Sequence, residues 1–297
     1  MHVETLKIFC DLVDLESFSL AAERNFITQS AVSQQVRALE DKFKRQLLER
    51  VRGRREVKLT PVGEAFYRAS KKVLSSYNDL REAVSDASGE IGGTVKVATI
   101  YSVGLHELPE KVREFMTMHP AAKIDLEFAR TTRVVRDVLS GHAELGVLAF
   151  PEARPGLKIA PMPNNRLVLI ASPNHKFSTR KLIHVKDLIG ENFVHFERDV
   201  PTRKAIDKIL KSNKIEVHKV AEFDNIETIK RAVEVGFGLS IVPQPSVKDD
   251  SRLGRLAVID LAEDFWVQPI GVIIRKDRTL SPAAQKFVGV LTEHVRK

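Results

Sequence analysis

Thr28–Phe43, TQSAVSQQVRALEDKF, is the stretch on which the fold of this chain turns. At helical spacing Val32, Val36, Leu39 and Phe43 fall on one apolar stripe, and Gln29, Ser33, Gln34 and Arg37 fall on the other side. Such a helix buries one face and offers short hydrogen-bonding groups on the other. Gln suits adenine, Arg suits guanine and Ser is adaptable, so the polar face fits the edges of a DNA major groove. The same division describes most amphipathic surface helices, so the flanking sequence has to decide.

Upstream, Val3 to Leu15 reads as a helix with Leu6, Phe9, Leu12 and Val13 inward, and Ser17 and Ser19 offer N-caps for a short second helix, SLAAERNF. Ile27 and Thr28 then form a tight turn, with Thr28 placed to cap the helix that follows. Two helices joined this closely, the second exposing Gln, Ser and Arg, make a helix-turn-helix. Downstream, Lys44, Arg45, Arg50, Arg52, Arg54, Arg55 and Lys58 crowd a span with only Glu49 and Glu56 as acids, and Gly53 sits at a turn between two short strands. A basic hairpin beside a recognition helix holds phosphates and supplies affinity without much sequence information.

Thr60-Pro61 opens a long helix, with Thr as N-cap and Pro at the first helical position. Val62, Phe66, Ala69, Val73, Tyr77, Leu80, Val84 and Ala87 recur along it at three- and four-residue steps. A seam of that length outruns the small N-terminal domain and predicts pairing with a second copy. Two-fold symmetry then gives two DNA half-sites. Beyond a glycine-containing linker, strand-like runs (TVKVATI, KIDLEFA, ELGVLAF, RLVLIAS, NFVHF, LSIVP and a last one, GVIIR) alternate with helical segments in two batches, which predicts parallel sheets. Prolines near 161 and 269 mark where the chain passes between two α/β lobes, and a cleft is expected outside the carboxyl ends of their strands.

The 297 residues suffice for two or three domains, and the net charge of +8 is compatible with a polyanionic partner. A single cysteine, Cys10, excludes a disulfide framework within one chain; set among Leu6, Phe9 and Val13, it reads as a small buried hydrophobe. Charges run through the N-terminus and no apolar run reaches membrane-spanning length, so a cytoplasmic protein with no membrane partner is expected. An enzyme on the two-lobed fold is the alternative from another class. The sequence carries no nucleophile elbow, no phosphate-binding glycine loop and no metal-ligand cluster, so no catalytic residue, metal or cofactor is assigned. A solute-binding protein would leave the basic N-terminal third unexplained.

LKIFCDLVDLESFSLAAERNFITQSAVSQQVRALEDKF, then LLER and KLTPVGEAF, resemble the winged helix-turn-helix signature of the LysR-type transcriptional regulators, and AVEVGFGLSIVP (232–243) resembles a late segment of their effector domain. Ser30 stands where many members carry proline, and Lys44 where glycine is common. The resemblance spans essentially the whole chain. It implies an α+β multidomain protein: a winged helix-turn-helix at 1–60, a dimerising linker helix at 61–88, a hinge at 89–93 and a two-lobed α/β effector domain like a periplasmic binding protein at 94–297. Lobe I would comprise 94–161 and 269–297, and lobe II 162–268.

The DNA contacts implied are Thr28, Gln29, Ser30, Ser33, Gln34 and Arg37, with Arg52, Arg54 and Arg55 on the wing. In the cleft, Tyr101, Ser102, Thr131 and Thr132 stand at strand-to-helix turns of lobe I; His195 and Thr202 come from lobe II, and Asn225 matches a further family position. Hydroxyls and helix N-termini converging on one cleft suit a small anion. The implied partners are promoter DNA, a small anionic effector, further copies of the chain as a dimer or tetramer, and RNA polymerase.

Overall fold

The computed structural model describes residues 2–49, 57–86 and 91–293. Contacts divide the chain into one unit built from residues 1–90 and a second built essentially from the remainder.

In the first unit, α1 (Val3–Leu15), α2 (Phe18–Arg24) and α3 (Gln29–Phe43) are followed by α4 (Pro61–Asp86). Local capping sets the boundaries. The Ser17 side chain accepts from the Leu20 N–H, so α2 starts one residue before the predicted SLAAERNF, and it stops at Arg24. Thr28 accepts from the Ala31 N–H and starts α3 where the sequence places it. The turn between them is pinned by the half-exposed Lys7 and by Asn25, both donating to the carboxylate of Asp11. Phe9, Leu12, Ala21, Val32, Leu39 and Leu47 form the buried centre.

Phe66 of α4 meets Phe9 and Phe43 edge-on, at ring-centroid distances of 5.2 and 5.1 Å. The sequence puts Phe66 in the intermolecular seam, but the fold uses it for this domain's own core, because the first turns of α4 lie against α1. Val62, Val73, Tyr77 and Leu80 of the same seam are exposed, whereas the Val84 side chain and Ala87 lie outside the described residues. Lys44, standing where glycine is common, adopts the left-handed conformation (φ 49°) and still ends the helix. The Glu40 carboxylate accepts from the N–H groups of Leu47 and Leu48, and Leu48 bridges antiparallel to Leu59; residues 50–56, the rest of the expected wing, lie outside the described residues.

The second unit begins with β1 (Gly93–Thr99), α5 (Tyr101–His106), α6 (Leu108–Met118), β2 (Ala122–Phe128), α7 (Thr131–Ser140), β3 (Leu145–Ala149) and β4 (Leu157–Ala171). It continues with β5 (Leu182–Ile183), β6 (Asn192–Phe196), α8 (Pro201–Ser212), β7 (His218–Phe223), α9 (Ile226–Glu234), β8 (Ser240–Pro243), α10 (Lys248–Arg252), β9 (Ala257–Leu261), β10 (Val267–Arg275) and α11 (Pro282–Thr292). Lobe I carries the order β2-β1-β3-β10-β4, its apolar residues sorted onto two faces by the period of two along each strand. Val97, Val147 and Val272 pack beneath α6 and α11, and Ala98, Leu148 and Ile273 beneath α7. In lobe II the far half of β4 pairs with β8 and β9, and β6 lies parallel to β7.

All-parallel sheets are predicted from the alternating elements, and here the structure differs. β1 pairs parallel with β2 and β3, but β10 runs antiparallel to both β3 and β4. The outgoing and returning strands must run in opposite directions because the chain leaves lobe I and comes back. β4 is continuous through Pro161 and Pro163, and the pairing slips by one residue between Gln268 and Ile270. The two-residue β5 and strands β7 and β9 lie outside the strand-like runs of the sequence; the burial pattern of β7 lacks the alternation that identifies a strand.

Candidate functional site

On α3, Val32, Val36 and Leu39 are buried, while Thr28, Gln29, Ser30, Gln34 and Arg37 are exposed and Ser33 is half-buried. The Thr28 and Ser30 hydroxyls lie 2.9 Å apart, so Ser30 extends the N-terminal cap in place of proline preorganisation. Gln35 faces inward, accepting from the Thr5 hydroxyl, which leaves Gln34 as the outward member of the Gln pair. The polar face is therefore free for a groove while the apolar stripe is spent on the core. Arg52, Arg54 and Arg55 lie outside the described residues.

In the second unit a cavity of about 250 Å³ opens at the junction of the two lobes. Lobe I contributes Ile100, Tyr101 and Ser102 from the β1–α5 turn, and Ala129, Arg130, Thr131 and Thr132 from the β2–α7 turn. Lobe II contributes Phe196, Asp199, Val200, Pro201, Thr202, Lys204, Asp224, Ile226 and Pro243. Parallel strands β1 and β2 bring their carboxyl ends side by side, with Thr99 opposite Phe128, so the two turns of lobe I fall on one wall. Tyr101 stacks on Phe128 at 5.4 Å. Gly104 permits that seat, since a Cβ there would lie 2.4 Å from the Phe128 ring and 2.7 Å from the Thr99 methyl.

Five of the seven residues expected in the cleft, Tyr101, Ser102, Thr131, Thr132 and Thr202, line this cavity. His195 and Asn225 do not. On β6, Val194 and Phe196 face one layer of core, and Phe193 faces the other. His195 shares the side of Phe193, its ring 5.5 Å from the phenyl ring, and is 4% exposed. Burial, helped by the nearby Arg203 guanidinium, lowers its pKa to about 4 and leaves a neutral imidazole. The Asn225 side chain accepts from the Glu227 N–H and caps α9, while its neighbours Asp224 and Ile226 reach the cavity.

Residues that the sequence did not single out complete the site. Gln268 on β10 donates to the Thr202 hydroxyl at 3.0 Å, and Asn165 on β4 donates to both Gln268 and Glu107. Burial raises the pKa of Glu107. Thr202 is thus oriented from the crossing strands and keeps its own proton to donate. α5 and α8 begin without a side-chain cap, at Ile100 and Val200, whereas Asn225 caps α9. The exposed Lys204 has no carboxylate within 4 Å among the described residues. Arg130 from lobe I meets Glu197, Asp199 and Asp224 of lobe II. Among the described residues no group of three or more His, Cys, Asp or Glu could hold a metal ion, and no helix is long and apolar enough to cross a membrane.

A helix-turn-helix unit followed by a two-lobed α/β unit with a small-molecule cavity defines a ligand-responsive DNA-binding protein. Residues 3–64 match the family described as "Bacterial regulatory helix-turn-helix protein, lysR family", and residues 88–296 match the LysR substrate binding domain. The chain belongs to the LysR family of transcriptional regulators. It is 31% identical to the HTH-type transcriptional activator CmpR of Synechocystis over 97% of this chain and 94% of that protein. Among solved structures, full-length CbnR complexed with its target DNA superposes with a TM-score of 0.72 at 24% identity, covering 98% of this chain and 99% of that one. The effector-binding domain of QuiR in complex with shikimate gives 0.61 at 20% identity, covering 68% of this chain and 97% of that domain. The protein is a DNA-binding regulator, not an enzyme, and a small effector modulates it.

Proposed function

We propose that the effector is a small anion, received in the cleft by the hydroxyls of Ser102, Thr131, Thr132 and Thr202, with Tyr101 as an apolar wall and Lys204 as a cation. The observation that carries this reading is the convergence on one cavity of four hydroxyls and the uncapped starts of α5 and α8. Free N–H groups at helix starts favour negative charge, and hydroxyls complete its hydrogen bonding. QuiR, whose effector-binding domain has a similar fold, is solved with shikimate, a carboxylate. His195 and Asn225 act one layer back, Asn225 by fixing the start of α9.

In this reading residues 1–60 hold promoter DNA through Thr28, Gln29, Ser30, Ser33, Gln34 and Arg37, with Arg52, Arg54 and Arg55 on phosphates. Residues 61–88 pair two copies, 89–93 form the hinge, and 94–161 with 269–297 face 162–268 across the cleft. The exposed Val62, Val73, Tyr77 and Leu80 on α4 support the pairing. The protein works in the cytoplasm, and effector binding changes how the DNA-bound assembly meets RNA polymerase. The test is calorimetric titration of the full-length protein with small carboxylates and their neutral amides. Carboxylates should bind and shift the promoter footprint; equal binding of the amides refutes the anion reading.

A further inference from the structure

One guanidinium in the cleft is shared among three carboxylates. The Arg130 Nη1 donates to Asp199 at 3.1 Å, and its Nη2 donates to Glu197 at 3.3 Å and Asp224 at 3.2 Å. Arg130 leaves the end of β2 in lobe I, and all three acids belong to lobe II. Arg130, Asp199 and Asp224 also line the cavity. The four side chains are between 42% and 63% exposed, a regime in which each pair contributes little and salt screens it. One cation against three carboxylates leaves the cluster with a net charge of −2. An anion entering the cleft therefore meets, besides Lys204, an acidic wall whose own guanidinium is already engaged.

We infer that Arg130 is an exchangeable tie between the lobes: it bridges to Asp199, Glu197 and Asp224 while the cleft is empty, and it transfers to an anionic effector when one binds. This rests on the anionic reading of the cleft. Solvated pairs are cheap to break, so the exchange needs little of the effector's binding energy. Transfer has a mechanical consequence as well. It uncovers three carboxylates on lobe II and removes their attraction to lobe I, leaving His106 on Glu227 at 3.0 Å as the neighbouring contact across the lobes, so occupancy changes the angle between the lobes by releasing Arg130. The state of the tie thereby becomes a readout of the ligand, with a coupling energy equal to the difference in Arg130's pairing.

The experiment uses full-length protein carrying nitroxide labels at Met118→Cys on lobe I and Ile189→Cys on lobe II, both exposed positions, with Cys10 buried. Pulsed distance measurement should show a distribution that shifts between about 0.05 and about 0.5 M NaCl. Arg130→Gln should give the high-salt distribution already at low salt, and Arg130→Lys, which keeps the charge, should retain the original. An Arg130→Gln distribution identical to that of the parent protein at low salt overturns the tie. Benzoate then probes the exchange: Asp199→Asn with Asp224→Asn should bind it roughly fivefold more tightly, and Arg130→Gln more weakly. Unchanged or weaker binding by the double variant overturns the exchange. Failure of benzoate and other small carboxylates to bind any variant counts against the anion reading instead, and the distances judge the tie separately.

Discussion

Gly63, in the first turn of α4, should not tolerate a methyl group. A Cβ there would lie 2.0 Å from the Leu47 carbonyl oxygen, 2.9 Å from its carbon and 3.1 Å from the Leu59 side chain. Backbone cannot yield as a flexible side chain does, so the start of α4 and the Leu47 segment must separate by about 1 Å to reach a real Cβ contact distance. That movement breaks the Thr60 N–H bond to the Leu47 carbonyl, costing about 1 kcal/mol. It also loosens the fully buried Leu47, costing about 2–4 kcal/mol. Alanine returns about 1 kcal/mol of helix propensity, and Gly63→Ala should therefore destabilise the first unit by about 2–4 kcal/mol. The single tryptophan, Trp266, is buried in the second unit and serves as an internal reference. In urea unfolding of the full-length protein, part of the helical signal at 222 nm should melt earlier by about 1–2 M while Trp266 fluorescence keeps its midpoint. Gly289→Ala on α11, with nothing within 4 Å of its Cβ, should be neutral or stabilising. A Gly63→Ala protein that unfolds at the same or higher urea would refute the steric argument.

At the DNA face, Arg37→Ala should change which sequence is preferred, whereas Arg54→Ala should weaken all sequences alike and reduce the salt slope by about 1, as read by promoter titration over a salt series; equal weakening with unchanged slopes would sink the division of labour. Lys44→Gly relieves the left-handed backbone at φ 49° and should stabilise the first unit by about 0.5–1 kcal/mol, read as a higher urea midpoint. His195 titrates near 4 in the folded protein against an ordinary value of 6.5, so the unfolded chain takes up its proton first as the pH falls. Its contribution to stability is complete above pH 6.5 and is lost as the pH drops toward 4; a neutral replacement, His195→Gln, should flatten stability against pH across that window.

Features set by neighbours in the chain were legible in the sequence. Thr28 caps α3 because its hydroxyl needs only the N–H three residues on, and the burial of Val32, Val36 and Leu39 follows from helical period and polarity alone. The cleft was partly legible for the same reason: in a βα turn of a parallel sheet, the residues after the strand face the ligand side, which placed Tyr101, Ser102, Thr131 and Thr132. His195 shows the limit. The strand NFVHF is apolar on both faces, so the sequence left its phase open, and the register against β7 put Phe196 rather than His195 toward the cavity.

By itself, the sequence determined the helix-turn-helix, the long α4 and the succession of strands and helices, since periodicity and capping act within a few residues. Only the tertiary structure decided that β10 runs antiparallel to β3 and β4, that Gln268 reaches Thr202 and that Phe66 serves the core. It alone also decided that Arg130 meets acids 67 to 94 residues away. Pairings at such separations depend on where the chain crosses between lobes and turns back, which no local pattern encodes.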